Sequence, residues 1–175
     1  VLDPMTAYQI TSMMEGVVQR GTAAGAGFTR EIGKPIAGKT GTTNDEKDVW
    51  FVGFSPDIAV GVYLGYDKPR HIARGASGGH TAAPIVKDFM KLALADKPGV
   101  PFRVPPGLKL VRIDPRSGTR IAAGSSGGIL EAFKPGTAPP DSYPVVGYDG
   151  QGEPRPSFFG VSPEADRAVS RGGLY

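Results

Sequence analysis

The run Gly38-Lys39-Thr40-Gly41-Thr42-Thr43 sets a cation, hydroxyls and glycines in consecutive positions. The apolar lead-in Pro35-Ile36-Ala37 and the polar, turn-prone Asn44-Asp45-Glu46 bracket it as the outgoing end of a short strand. A strand end of this composition suits an anionic, peptide-like ligand. Lys39 supplies a fixed positive charge, and Thr40 and Thr42 supply hydroxyls of suitable reach for a carboxylate. Gly41 has no Cβ, so a ligand can approach the backbone closely there. Free N–H groups along such an edge pair with an incoming extended peptide, and one of them can face a developing oxyanion. The substrate-binding candidates are Lys39, Thr40, Gly41 and Thr42.

Other side chains with chemical potential read more plainly. Asp45, Glu46 and Asp48 cluster after the run, and a loop this polar needs them only as turn residues and solvated charges. Trp50 could stack on a ligand, but within an apolar strand it reads as core. His71 and His80 lack metal-ligand spacing with nearby carboxylates and read as surface or capping residues, so no metal and no cofactor is expected. There is no cysteine, which excludes disulfides, thiolate catalysis and cysteine metal sites. The net charge of +3 is too small and too scattered for a nucleic-acid partner. Its densest basic cluster, Lys109, Arg112, Arg116 and Arg120, reads as a solvated hairpin face. No apolar run approaches the roughly 20 residues that a membrane-spanning helix needs, so no membrane segment is expected in this chain.

The elements that must position the run follow from periodicity. Asp3-Pro4 opens a helix with Ala7, Ile10, Met13 or Met14, Val17 and Val18 at helical spacing, stopped by Gly21. Residues 21–33 read as a loop with a short helical turn. Apolar runs at 34–43, 48–55 and 58–66, joined by short connections, predict antiparallel strands. The span Asp48 to Phe54 is almost wholly apolar and predicts burial on both faces. Gly61 and Gly65 point to close packing or a bulge, and Gly75-Ala76-Ser77-Gly78-Gly79 reads as a flexible lead into a second helix from about Thr81 to Ala95. There Ile85, Phe89 and Leu92 form one stripe, with Val86 and Ala93 beside it. Beyond Pro98 the chain carries 12 of its 17 prolines. Residues 108–113 and 119–122 predict a small β-hairpin, and 129–133 either a helical turn or a docking segment. From 138 a disordered tail is expected.

The run does not stand alone. The segments Met13 to Thr22, Pro35 to Asn44 and Asp48 to Pro56 follow one another in an order and spacing that resemble the C-terminal half of the transpeptidase domain of class A (bifunctional) penicillin-binding proteins. Gly65-Tyr66-Asp67-Lys68-Pro69, Pro84 to Met90 and Pro101 to Gly107 continue the likeness. It covers about residues 5–137, judged by motif order. The resemblance implies an α+β fold: part of the serine β-lactamase and penicillin-binding transpeptidase architecture, with residues 34–66 as the third, fourth and fifth strands of a five-stranded antiparallel sheet. It implies a transpeptidase part over 1–97, a proline-rich extension with a hairpin over 98–137, and a tail over 138–175.

By the same resemblance, Lys39 bridges a serine of the S-x-N motif and the substrate carboxylate. Thr40 and Thr42 bind the terminal carboxylate of a D-Ala-D-Ala stem peptide or of a β-lactam, and the Thr42 N–H is one oxyanion donor. Lys39 and Thr42 are thus the catalytic candidates, and Gly41 clears the approach. The family uses S-x-x-K, S-x-N and K-T-G together. No serine here has a lysine three residues on, and the single asparagine, Asn44, has no serine two residues before it. The chain alone is therefore expected to be inactive, with the nucleophile, a glycan-polymerising domain and a membrane anchor upstream in a longer protein at the periplasmic face of the bacterial inner membrane. The partners implied are the stem peptide, β-lactams and that upstream remainder. A second reading, from a different class, is a non-catalytic module that uses the same strand edge to bind a peptide or dock a partner.

Overall fold

The computed structural model describes residues 2–122, 126–141, 147–148 and 154–155. The chain forms two compact units, Val1–Lys109 with Ala132–Pro135, and Leu110–Glu131 with Gly136–Tyr175.

The first unit opens with helix α1, Pro4–Gln19. Asp3 caps it: its carboxylate accepts from the Thr6 N–H and hydroxyl at 2.9 Å each and pairs with Lys134 at 3.0 Å. A tight helical turn, Ala24–Ala26, and the short helix α2, Phe28–Glu31, follow. Strands β1 (Ala37–Thr42), β2 (Asp48–Phe54) and β3 (Ala59–Gly65) form an antiparallel sheet in that order. A π-helical turn, Gly78–Ala82, leads into helix α3, Ala83–Ala93. The sheet and helices give the α+β class, and the three strands fall inside the three apolar runs.

The register decides which side chains meet. Thr42 lies opposite Val49, Thr40 opposite Phe51 and Gly38 opposite Gly53, and directly opposed residues share a face. This is the core face. Val49 and Phe51 are fully buried in a cluster with Val18, Phe28, Ile36, Val86, Met90 and Leu94. Phe28 and Phe51 pack ring to ring at 5.4 Å. A Cβ on Gly38 or Gly53 would come within 2.5 or 2.8 Å of the Phe51 ring, so the paired glycines make room for it.

Three packing expectations need correction. Strand β2 is not buried on both faces: Trp50 and Val52 are 47% and 45% exposed. Trp50 is accordingly not core, and its ring packs on Tyr63 at 4.7 Å on the outer face of the sheet. In α3 the buried set is Ala83, Val86, Lys87 and Met90, whereas Phe89 and Leu92 are 52% and 80% exposed and Ile85 is exposed with them. The helix carries apolar residues on two sides, so a 3.6-residue period fits either stripe and only the neighbouring sheet decides.

Polar contacts tie the layers together. Lys34 Nζ donates to the carbonyls of Leu94 and, at 2.6 Å, Lys97, just past the end of α3. Glu31 of α2 accepts from Lys87 of α3 at 2.8 Å and faces Lys91 at 3.4 Å. The Lys87 hydrogen bond holds the Glu31 carboxyl down at about 2, against an ordinary 4.5. The Thr6 N–H, then Lys134, hold Asp3 at about 2, against 3.8. Both groups are depressed in the folded state, so their stabilisation is present above the unfolded values and is lost as pH falls through about 4.5 towards 2. A melting-temperature series from pH 6 to pH 2 is expected to fall over that window, and Asp3→Asn with Glu31→Gln to flatten it. An equally steep fall in the double variant would show that these pairs are not the acid-labile ones.

Strands β4 (Lys109–Ile113) and β5 (Ile129–Phe133), most of whose residues belong to the second unit, pair with each other. The stretch 129–133 is thus a strand and not a helical turn. The expected hairpin survives as a tight turn with one bridge, Ile113 to Arg120, held by Asp114 N–H to the Thr119 carbonyl at 2.9 Å and Ile121 N–H to the Arg112 carbonyl at 3.0 Å. Gly147–Tyr148 (β6) pairs antiparallel with Pro154–Arg155 (β7). The expectation of a disordered tail otherwise lies outside the described residues.

Candidate active-site strand

Strand β1 is the outer strand of its sheet, and its outgoing end carries the candidate residues. Alternation divides them between two faces. Lys39 lies opposite Val52 on the outer face with Gly41, Trp50 and Tyr63, and it is exposed. Its Nζ folds back to donate to the Thr40 carbonyl at 3.0 Å. Thr40 and Thr42 point to the other face, where each hydroxyl has a partner. Thr40 Oγ1 lies 2.9 Å from Thr22 Oγ1, just beyond α1. Thr42 Oγ1 accepts from the Gly78 N–H at 3.0 Å. The strand therefore offers its cation on one side and its hydroxyls on the other, with the Gly41 backbone between them.

The turn after β1 is more ordered than a solvated loop. Asp45 and Glu46 adopt φ of 59° and 51°, a left-handed conformation that non-glycine residues seldom hold without support. Glu46 has that support. Its carboxylate oxygens accept from the Gly75 N–H at 3.0 and 3.1 Å, its carbonyl accepts from Ile72 N–H at 3.0 Å, and His71 Nε2 lies 3.4 Å away. His71 Nδ1 also lies 2.9 Å from the Asp45 carbonyl. The reading of Glu46 as a solvated charge is corrected: it clamps the 71–75 segment beside the end of β1. Asp48 accepts from Tyr63 OH at 2.8 Å, while Asp45 pairs with Lys47 at 3.1 Å and stays exposed. His80 shares a hydrogen bond with Ser77, the residue that caps the π-helical turn.

Sequence reasoning missed Thr22 and Gly78. Thr22 carries no signal at a distance of 18 residues from Thr40. The glycine pair 78–79 was visible but read as flexible. It is instead a close backbone contact, since a Cβ on Gly78 would lie 2.2 Å from the Trp50 carbonyl and one on Gly79 2.0 Å from the Thr22 carbonyl. No helix among the described residues is long and apolar enough to cross a membrane.

Comparison with known proteins bears on the same strand. The family described as penicillin binding protein transpeptidase domain matches residues 1–91. A penicillin-binding protein 1A of Rickettsia bellii is 49% identical over 134 residues, 77% of this chain and 16% of that protein. One of Pseudomonas aeruginosa is 40% identical over 161 residues, 92% of this chain and 19% of that protein. The crystal structure of penicillin-binding protein 1A from Haemophilus influenzae superposes with a TM-score of 0.69 at 32% identity, over 82% of this chain and 22% of that one. The chain thus spans less than a quarter of each of these proteins. With the match to its transpeptidase domain covering β1 to β3 and nearly all of α3, the chain belongs to the penicillin-binding protein transpeptidase family.

Proposed function

We propose that this chain supplies the substrate-binding strand of a serine-type peptidoglycan DD-transpeptidase. The observation that carries the reading is the placement of Lys39, Thr40, Gly41 and Thr42 at the end of an edge strand, in a chain of the transpeptidase family. In the proposed reaction a serine attacks the D-Ala-D-Ala amide carbonyl and D-Ala leaves with the transferred proton. The acyl group then passes to an amine of a neighbouring stem peptide. Thr40 and Thr42 hydrogen-bond the substrate carboxylate from their face of the strand, Lys39 turns its long side chain from the other face around the strand end to that carboxylate and the active-site serines, and the Thr42 N–H receives the oxyanion. β-Lactams enter as analogues that stop at the acyl stage.

The nucleophile comes from outside these residues. No serine here has a lysine three residues on, and a serine without an adjacent base is a poor nucleophile. The outer face of the sheet supports a shared site. Lys39 sits there with exposed Trp50, Val52 and Tyr63, an apolar surface that the remainder of a longer protein would cover. We place that protein at the periplasmic face of the inner membrane, with a glycan-polymerising domain and an anchor elsewhere in its chain.

The test compares two proteins with a fluorescent penicillin. The 175-residue chain is expected to give no covalent band on a denaturing gel, and the full-length protein that carries it a band mapping to a serine outside these residues. A band on a serine of this chain, or none on a folded full-length protein, would overturn the proposal. The second result would leave a peptide-docking edge as the better reading.

A further inference from the structure

We propose that Thr22 is a positioning residue for substrate binding: its hydroxyl donates to Thr40 Oγ1 and so commits the Thr40 proton to the substrate carboxylate. This rests on the reading of β1 as the carboxylate-binding strand. A threonine hydroxyl has one proton to give and lone pairs to accept with. At Thr42 the direction is settled, because the Gly78 backbone N–H 3.0 Å away can only donate. The Thr42 proton is thereby left to point elsewhere. At Thr40 the partner is another hydroxyl, Thr22 Oγ1 at 2.9 Å, and either oxygen can be the donor.

A carboxylate arriving at Thr40 breaks that symmetry. An ionised carboxylate only accepts, so Thr40 must donate to it, and Thr22 is then the donor to Thr40. The chain runs one way, from Thr22 to Thr40 to carboxylate, and each bond polarises the next. Without Thr22, Thr40 keeps its proton but loses the donor that orients it.

The surroundings fix Thr22 for this role. The turn that holds it is closed by Ala23 N–H to the Val17 carbonyl and Ala24 N–H to the Gly21 carbonyl, both at 3.1 Å. Ala23 is fully buried. On the other side the glycine pair packs against it, with the Cβ position of Gly79 2.0 Å from the Thr22 carbonyl and 3.7 Å from Thr40 Cγ2. The same π-helical turn thus supplies the Gly78 donor behind Thr42 and backs Thr22 behind Thr40.

The test measures the second-order rate of acylation of the full-length protein by benzylpenicillin, for the parent, Thr22→Val, Thr22→Ser, Thr40→Val and the Thr22→Val/Thr40→Val pair. Thr22→Val is expected to slow acylation roughly two- to tenfold, the worth of one neutral hydrogen bond. Thr22→Ser, which keeps the hydroxyl, is expected to match the parent. Thr22→Val is expected to add nothing once Thr40 is valine. With the penicillin methyl ester, whose neutral carbonyl is a weaker acceptor than a carboxylate, the loss in Thr22→Val is expected to shrink, whereas a folding defect would slow both reagents equally. Parental acylation by Thr22→Val alongside an impaired Thr40→Val would overturn the role of Thr22, as would a further loss in the double variant. Parental acylation by Thr40→Val itself would remove the carboxylate-binding reading of β1, and the role of Thr22 with it.

Discussion

Replacing Lys39 by alanine in the full-length protein is expected to slow acylation by a β-lactam ten- to a hundredfold and to leave the melting temperature in place. The two halves of that result have separate causes. Lys39 is exposed on an edge strand, and the one hydrogen bond described for its ammonium group goes to the carbonyl of the next residue. Its loss opens no cavity and strands no buried partner, so the effect on stability should stay within about 0.5 kcal/mol. In the proposed complex the same ammonium group faces a carboxylate. A charge-assisted hydrogen bond there is worth about 1.5–3 kcal/mol, which gives the expected loss in rate. Lys39→Arg should rescue only in part, because a planar guanidinium does not place its charge where a compact ammonium did. Asp45→Asn is the control: Asp45 is exposed, its carboxylate pairs with neighbouring Lys47, and asparagine tolerates the left-handed conformation found there. Parental acylation by Lys39→Ala, or a loss that merely tracks unfolding, would show that this strand edge is not where the substrate lies.

What the sequence made legible was whatever depends on local order. The strand around Lys39 to Thr42, its two antiparallel neighbours and the flanking helices could be placed because each has its own run of apolar residues and its own turn residues. What stayed hidden depends on distant partners. Trp50 looks like core until the register sets it opposite Tyr63 on the outer face. The stripe of Ile85, Phe89 and Leu92 and the stripe of Val86 and Met90 are equivalent until the sheet chooses between them. Strand β5 is five residues long with four of them apolar, a length that suits a helical turn as well, and only pairing with β4 distinguishes the two. The motif named the cation and the hydroxyls but not the groups behind the hydroxyls, which lie 18 and 36 residues away in sequence.

Those groups make Gly78 a sensitive position outside the strand itself. Gly78→Ala is expected to lower the melting temperature by several degrees and to slow acylation of the full-length protein tenfold or more. An added Cβ would stand 2.2 Å from the Trp50 carbonyl oxygen, 2.7 Å from the Gly41 carbonyl oxygen and 2.9 Å from the Gly41 nitrogen. All three are backbone atoms, so no side chain can rotate aside; β1, β2 or the π-helical turn must move. Overpacking of this kind costs about 1–3 kcal/mol. The movement falls where it matters for the reaction, because Gly41 lies between the two threonines and the Gly78 N–H holds Thr42 Oγ1. Displacing a positioned group by about 1 Å can cost a hundredfold in rate. Gly61→Ala is the matched control in the same sheet, where the added Cβ meets only Val52 Cγ2 at an ordinary 3.7 Å. It should acylate at the parental rate and melt within a degree or two of it. If Gly78→Ala melts lower yet acylates normally, the turn supports the fold without setting the geometry of Thr42, and the site owes nothing to the glycine pair.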